Sequence, residues 1–129
     1  MAPSLGAIKA IKLQVAGAFH SDMMKPAADE LKIAFDQTEI SNPKDIRIIA
    51  NFNAQYYNDA PSIVQGLLNQ LVSPVLWQKC VEKLIADGVE TFYEIGPGRV
   101  LKGLMRRINR KANIINISKA GDIEKIISN

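Results

Sequence analysis

The chain has 129 residues, 47% of them hydrophobic and 22% charged, with a net charge of +3 at pH 7. These proportions suit one globular domain and exclude collagen-like, disulfide-rich and disordered classes. No run approaches the ~20 apolar residues of a membrane span, and acidic residues are interspersed among the basic ones, so neither a membrane nor a nucleic-acid role is expected.

The N-terminus has no basic cluster ahead of an apolar stretch, so a secretory signal is not expected and a cytoplasmic setting is. Residues 7–15 alternate around Ile8, Ile11, Leu13 and Val15 and predict a strand that Gly17 breaks. Ser21 or Asp22 can cap a helix whose apolar positions are Ala27, Leu31, Ala34 and Phe35, with Pro26 in its first turn. Asn42-Pro43 predicts a turn and residues 46–50 a short β-branched strand. A polar loop leads to Asp59 and Pro61, a helix start, with the helix running to about Gln70.

Pro74 punctuates the chain again. The next helix carries Leu76, Trp77, Cys80, Val81, Leu84 and Ile85 on one face and stops at Asp87-Gly88. Residues 91–95 predict a strand, Gly96-Pro97-Gly98 a tight loop, and Val100, Leu101, Leu104, Met105 and Ile108 an amphipathic helix. A strand over 114–117 and a short helix over 123–128 finish the pattern. Strands alternating with helices predict an α/β fold, three-layered, with a mostly parallel sheet.

Few side chains invite chemistry. Cys80 is the single cysteine; inside an apolar helix it reads as a buried thiol or, against that, a reactive one. His20 is the single histidine and the one side chain whose ordinary titration falls near neutrality. It follows a predicted strand, where α/β proteins gather functional groups, though a lone loop histidine is often only structural. No serine lies in a Gly-x-Ser-x-Gly elbow, Ser21 is a poor partner for its own neighbour, and no metal-ligand cluster accompanies His20. Gly96-Pro97-Gly98 could present N–H groups to a phosphate or simply connect strand to helix. Arg106, Arg107, Arg110 and Lys111, with Arg99 and Lys102 nearby, form either a solvated helix end or a docking patch for an acidic partner.

Gly17-Ala18-Phe19-His20-Ser21 with Met24-Lys25-Pro26-Ala27, then Asn69-Gln70-Leu71 with Pro74-Val75-Leu76-Trp77, then Glu94-Ile95-Gly96-Pro97-Gly98-Arg99-Val100-Leu101 occur in that order. Together they resemble the C-terminal part of the malonyl-CoA:acyl carrier protein transacylases, over nearly the whole chain. The resemblance implies malonyl transfer from coenzyme A to acyl carrier protein in fatty acid biosynthesis, by way of a malonyl-serine. It implies that His20 is the general base and that Gln70 orients it, through a backbone carbonyl. It implies no cofactor and no metal, the coenzyme A thioester being a substrate. An Ala-Phe-His element resembles the malonyl-selecting type, which makes Phe19 an acyl-selectivity residue, with a core-packing phenylalanine the alternative.

The family's serine elbow, its oxyanion segment and its malonyl-binding arginine have no counterpart here. Residues 1–13 resemble the last strand of the family's ferredoxin-like subdomain, and residues 14–129 the later part of its hydrolase-like large subdomain. The expectation is a chain that starts inside a domain, leaves sheet edges and apolar faces uncovered, and joins an N-terminal half or self-associates. The alternative is a non-catalytic fragment or subunit that binds acyl carrier protein or another acidic partner through the basic set.

Overall fold

The computed structural model describes residues 3–6, 8 and 17–128. The strand predicted over 7–15, and most of the proposed 1–13 unit, lie outside the described residues. A short 3-10 turn, Asp22–Met24, leads into α1 (Lys25–Asp36); α2 (Ala60–Val72), α3 (Trp77–Ala86), β1 (Thr91–Ile95), α4 (Val100–Ile108), β2 (Asn113–Ile117) and α5 (Ala120–Ile127) follow. The class is α/β, with a two-stranded parallel sheet among the described residues. The strands pair in register from Thr91 with Asn113 to Ile95 with Ile117, and α4 is the crossover that parallel pairing requires.

Alternation along the strands separates the layers. Phe92 and Ile114 are register partners on one face, where Ile114 joins Val81 of α3 and Met105 of α4 in the buried core. Trp77, Ile85, Ile108 and Ala112 close around these three. Tyr93 and Ile115 look the other way and share a shallow pocket with Ile126 of α5. Helices thus lie on both faces, the three-layer arrangement expected from the alternating pattern. Separately, α1 packs on α2. In α2, Gly66 is buried because the Tyr57 ring lies where a Cβ would be.

Several ends are set by side chains. Asp59 Oδ1 accepts from the Ser62 N–H at 2.8 Å while Ser62 Oγ accepts from the Asp59 N–H at 3.1 Å, a reciprocal cap on α2. Asp122 Oδ2 accepts from the N–H groups of Ser118 and Lys119 at 3.0 and 3.2 Å. That cap starts α5 at Ala120, three residues before the predicted Ile123. Glu94, buried at the end of β1, accepts from Leu101 N–H at 2.8 Å, from Lys102 N–H at 3.3 Å and from Asn116 Nδ2 at 3.3 Å. Its carboxylate satisfies the open donors at the start of α4 and ties that start to both strands.

Two local expectations are corrected. Residues 46–50 form no strand: a single antiparallel bridge joins Ile49 and Tyr56, with Tyr57 N–H donating to Ile48 O and Ala50 N–H to Gln55 O. A strand exists only as part of a ladder, and no described strand lies beside Ile46, which is exposed. Nor do Ser21 and Asp22 cap α1. Ser21 Oγ donates instead to the Ala18 carbonyl at 2.6 Å, and α1 starts at Lys25 with Pro26 in its first turn, as expected.

The covering of this fold is incomplete among the described residues. Six apolar residues are buried, whereas Ile95 is 81%, Val100 71% and Ile127 79% exposed. With only β1 and β2 paired, each strand also has one open edge. Cys80 is buried, its thiol donates to the Ala50 carbonyl at 3.6 Å, and burial pushes its pKa up. This is the unreactive thiol of the two alternatives.

Three aspartates make the fold acid-sensitive. The Ser62 N–H and hydroxyl hold the Asp59 carboxyl below its ordinary value. The Tyr56 hydroxyl, with Lys83 and Arg47 behind it, does so for Asp87, and the Ser118 and Lys119 N–H groups for Asp122. The unfolded chain binds these protons more tightly, so their contribution is present above the unfolded value near 3.8 and lost as pH falls through the folded values. Urea midpoints should therefore hold steady from pH 7 to 5 and drop below about pH 4. Carboxyl 13C titrations should show these three protonating below the ordinary aspartate range, and ordinary midpoints for all three would contradict the assignment.

Candidate active site

Residues 17–20 turn sharply before the Asp22–Met24 turn, pinned by the Ser21–Ala18 hydrogen bond and by Met24 N–H donating to Ser21 O at 3.0 Å. His20 sits at φ 61, in the left-handed region that histidine enters more readily than branched residues. This backbone turns the imidazole toward the end of α2. There, His20 Nδ1 lies 2.8 Å from the main-chain oxygen of Gln70, across 50 positions of sequence.

The carbonyl is available for a simple reason. Gln70 is in the last turn of α2, whose final carbonyls have no N–H four residues ahead to accept from. Ser73 leaves helical geometry and Pro74 follows, so the helix stops there. The C-terminal end of a helix also favours positive charge, which suits an imidazole that gains a proton. With Nδ1 donating, Nε2 keeps its lone pair and has no hydrogen bond among the described residues. This arrangement can accept a proton from a group brought to its exposed side.

The other sequence candidates fall at varied distances from this geometry. Phe19 precedes His20 and is 61% exposed, its ring lying near Gly17, so it fills no core among the described residues. Arg106 and Arg107 end α4, and Arg110 and Lys111 follow in the turn; all four are exposed and none makes an ion pair among the described residues. No hydrogen bond or ion pair links them to His20. Arg107 lines a groove of about 630 Å³ with Trp77, Leu104 and Ile108. Ser21 is excluded as the partner of His20, its hydroxyl being committed to Ala18.

Of the two readings for Gly96-Pro97-Gly98, the connection is the one seen. Gly96 and Gly98 have φ of +133 and +92. The N–H groups of Leu101 and Lys102, which a phosphate would need, already donate to Glu94. Glu94 stands in the sequence as the first residue of the motif running to Leu101, with no role expected of it. An acidic residue just before a glycine-rich turn and a helix was the local signal of its part as a cap. Among the described residues no cluster of three metal-ligating side chains occurs, and no helix is long and apolar enough to cross a membrane.

No family model matches the chain. The malonyl CoA-acyl carrier protein transacylase of Bacillus subtilis is 43% identical over 127 residues, 98% of this chain and 40% of that protein. Among solved structures, the acyl carrier protein S-malonyltransferase of Vibrio cholerae matches with a TM-score of 0.89 at 36% identity, covering 96% of this chain and 40% of that one. A malonyl-transacylase in complex with its type II PKS acyl-carrier protein matches with a TM-score of 0.88 at 34% identity, covering 98% of this chain and 41% of that one. The chain thus spans about 40% of the length of the curated relatives it matches.

Proposed function

We propose that this chain, a relative of the malonyl CoA-acyl carrier protein transacylases over nearly all its own length, supplies the histidine half of a malonyl transfer. The supporting observation is the His20–Gln70 pair: one nitrogen of an exposed imidazole is held by a helix-end carbonyl, and the other has no hydrogen bond among the described residues. In this reading a complementary N-terminal segment brings the serine. Nε2 takes the serine proton as the oxygen attacks the malonyl thioester, and returns it to the departing coenzyme A sulfur. The carrier protein's thiol then gives its proton to Nε2, attacks the malonyl-serine, and the serine oxygen leaves with that proton. The base is regenerated in each half of the cycle.

The remaining assignments follow the same reading. Gln70 orients the base. Phe19, next to it in the chain, narrows the acyl side and disfavours an added α-methyl by ~1–3 kcal/mol. Residues 1–13 and 14–129 belong to two subdomains, and the complementary segment packs over the open strand edges and the exposed Ile95 and Val100. Arg106, Arg107, Arg110 and Lys111 meet the acidic carrier protein. Reversing Arg106 and Arg107 to glutamate should raise the KM for carrier protein about threefold to tenfold at low salt and leave kcat unchanged. Salt should shrink that difference, and an unchanged KM would remove these residues from the interface.

The test is reconstitution. The chain and a separately produced N-terminal half carrying the serine elbow, each inactive alone, should together transfer malonyl to carrier protein. A mixture that forms a complex and binds carrier protein without transferring malonyl would favour the non-catalytic alternative.

A further inference from the structure

Gly17 opens the loop that carries His20, and its place there is explained by space. Glycine is needed where the backbone enters positive φ, as at Gly88, Gly96 and Gly98. Gly17 shows no such φ, so its backbone conformation does not itself demand a glycine. A Cβ at residue 17 would lie 3.2 Å from Phe19 Cε2 and 3.6 Å from Cδ2 and Cζ, the three nearest atoms all belonging to that ring. The ring therefore lies over the bare face of residue 17. Phe19 is 61% exposed, so little else packs on it and its rotamer depends on the surface it touches. The loop backbone is fixed independently, by Ser21 Oγ donating to Ala18 O at 2.6 Å and by Met24 N–H donating to Ser21 O at 3.0 Å. The ring is the movable part here and the backbone the fixed one.

We propose that Gly17 is a positioning residue for acyl selection: its bare face seats the Phe19 ring and keeps that ring in one rotamer as a fixed wall. The selectivity rests on the reading of Phe19 given above, whereas the seat does not. A wall rejects an added α-methyl only while it stays in place, because a ring free to turn makes room for the methyl at little cost. A side chain at residue 17 would take the seat. The ring would then be what yields, as the free end of a flexible side chain above a tied backbone. Selection in this loop thus belongs to residues 17 and 19 together, and a small residue at 17 matters as much as a large one at 19.

Ring position and selectivity are read separately. The chain is labelled with 13C-glycine and mixed with the unlabelled complementary half. One of its eight glycines, identified by its loss in Gly17→Ala, should show α-proton signals moved upfield by the ring above it. Phe19→Ala should return them to the ordinary glycine range. Selectivity is the ratio of kcat/KM for methylmalonyl-CoA to that for malonyl-CoA in the reconstituted pair. Phe19→Ala should raise this ratio about tenfold or more and Gly17→Ala about threefold to tenfold, within what one methyl group commands in an apolar site. In the Phe19→Ala background, Gly17→Ala should add nothing, since no ring is left to displace. A merely structural role for Gly17 would leave the ratio alone and would persist without the ring. If Gly17→Ala loses helical circular dichroism, the α-proton signals of the unaltered chain and of Phe19→Ala decide the seat. Ordinary α-proton signals at Gly17, or a ratio moved by Phe19→Ala and not by Gly17→Ala, overturn the proposal. A ratio that Phe19→Ala leaves unchanged removes the reading of Phe19 instead, and the upfield signals alone then uphold the seat.

Discussion

His20→Ala in the reconstituted pair is expected to cut malonyl transfer about 10²- to 10⁴-fold, the usual cost of a lost general base. The loss should appear in kcat, and KM for malonyl-CoA should stay within about twofold, because a general base acts on the moving proton and not on the resting thioester. His20 is the only histidine, Cys80 is buried, and Ser21 is tied to the Ala18 carbonyl. The exposed position of His20 also keeps the substitution from harming the fold: it fills no core, and its contacts are with Gln70 at the end of α2, whose exposed groups water can satisfy. Stopped-flow single turnovers would separate acylation from transfer, and both should slow. Activity within tenfold of the unaltered pair would remove His20 from the mechanism.

Met105→Ala is expected to be the most damaging single change to the fold. Met105 is 1% exposed and sits with Val81 and Ile114 where α3, α4 and β2 meet. Truncating such a side chain costs about 2–5 kcal/mol, part transfer energy and part unfilled cavity. A domain typically holds ~5–15 kcal/mol in all. Here only six apolar residues are buried among those described, so little else is available to absorb the loss. Urea unfolding followed by circular dichroism should show a lower midpoint or no cooperative transition. Val100→Ala, 71% exposed at the first turn of the same helix, should move the midpoint by no more than about 0.5 kcal/mol in the isolated chain. If the complementary segment covers Val100, that small effect should grow in the reconstituted pair. Equal effects for the two substitutions in the isolated chain would mean the core has been wrongly located.

These two residues mark how legible the protein was. Met105 lies in an apolar stripe at helical spacing, and that stripe specifies α4 and its inward face without reference to anything else. The same holds for α3, for β1 over its predicted span, and for β2, which starts one residue earlier than predicted. The strand over 46–50 was not legible, because β-branched residues express a preference for extended backbone and leave the neighbour unspecified. The start of α5 was missed for a smaller reason. Asp122 caps backward onto Ser118 and Lys119, so the helix begins before its apolar residues do.

The candidate site divides along the same line. His20 stands out in the sequence as the lone imidazole in a glycine-broken loop, and the order of motifs pointed to a transacylase relative. Both are properties of single residues and of spacing along the chain. The partner of His20 is 50 positions away, and it is a backbone atom together with an amide end. The motif resemblance named Gln70 and its carbonyl, whereas composition and periodicity had nothing to register there. Local sequence thus determined which segments become helices and strands, and which side chain could move a proton at neutral pH, because those follow from side-chain chemistry at short range. Only the tertiary structure decided which nitrogen of that side chain is left free. That choice depends on where the end of α2 comes to rest, and packing between distant segments sets it.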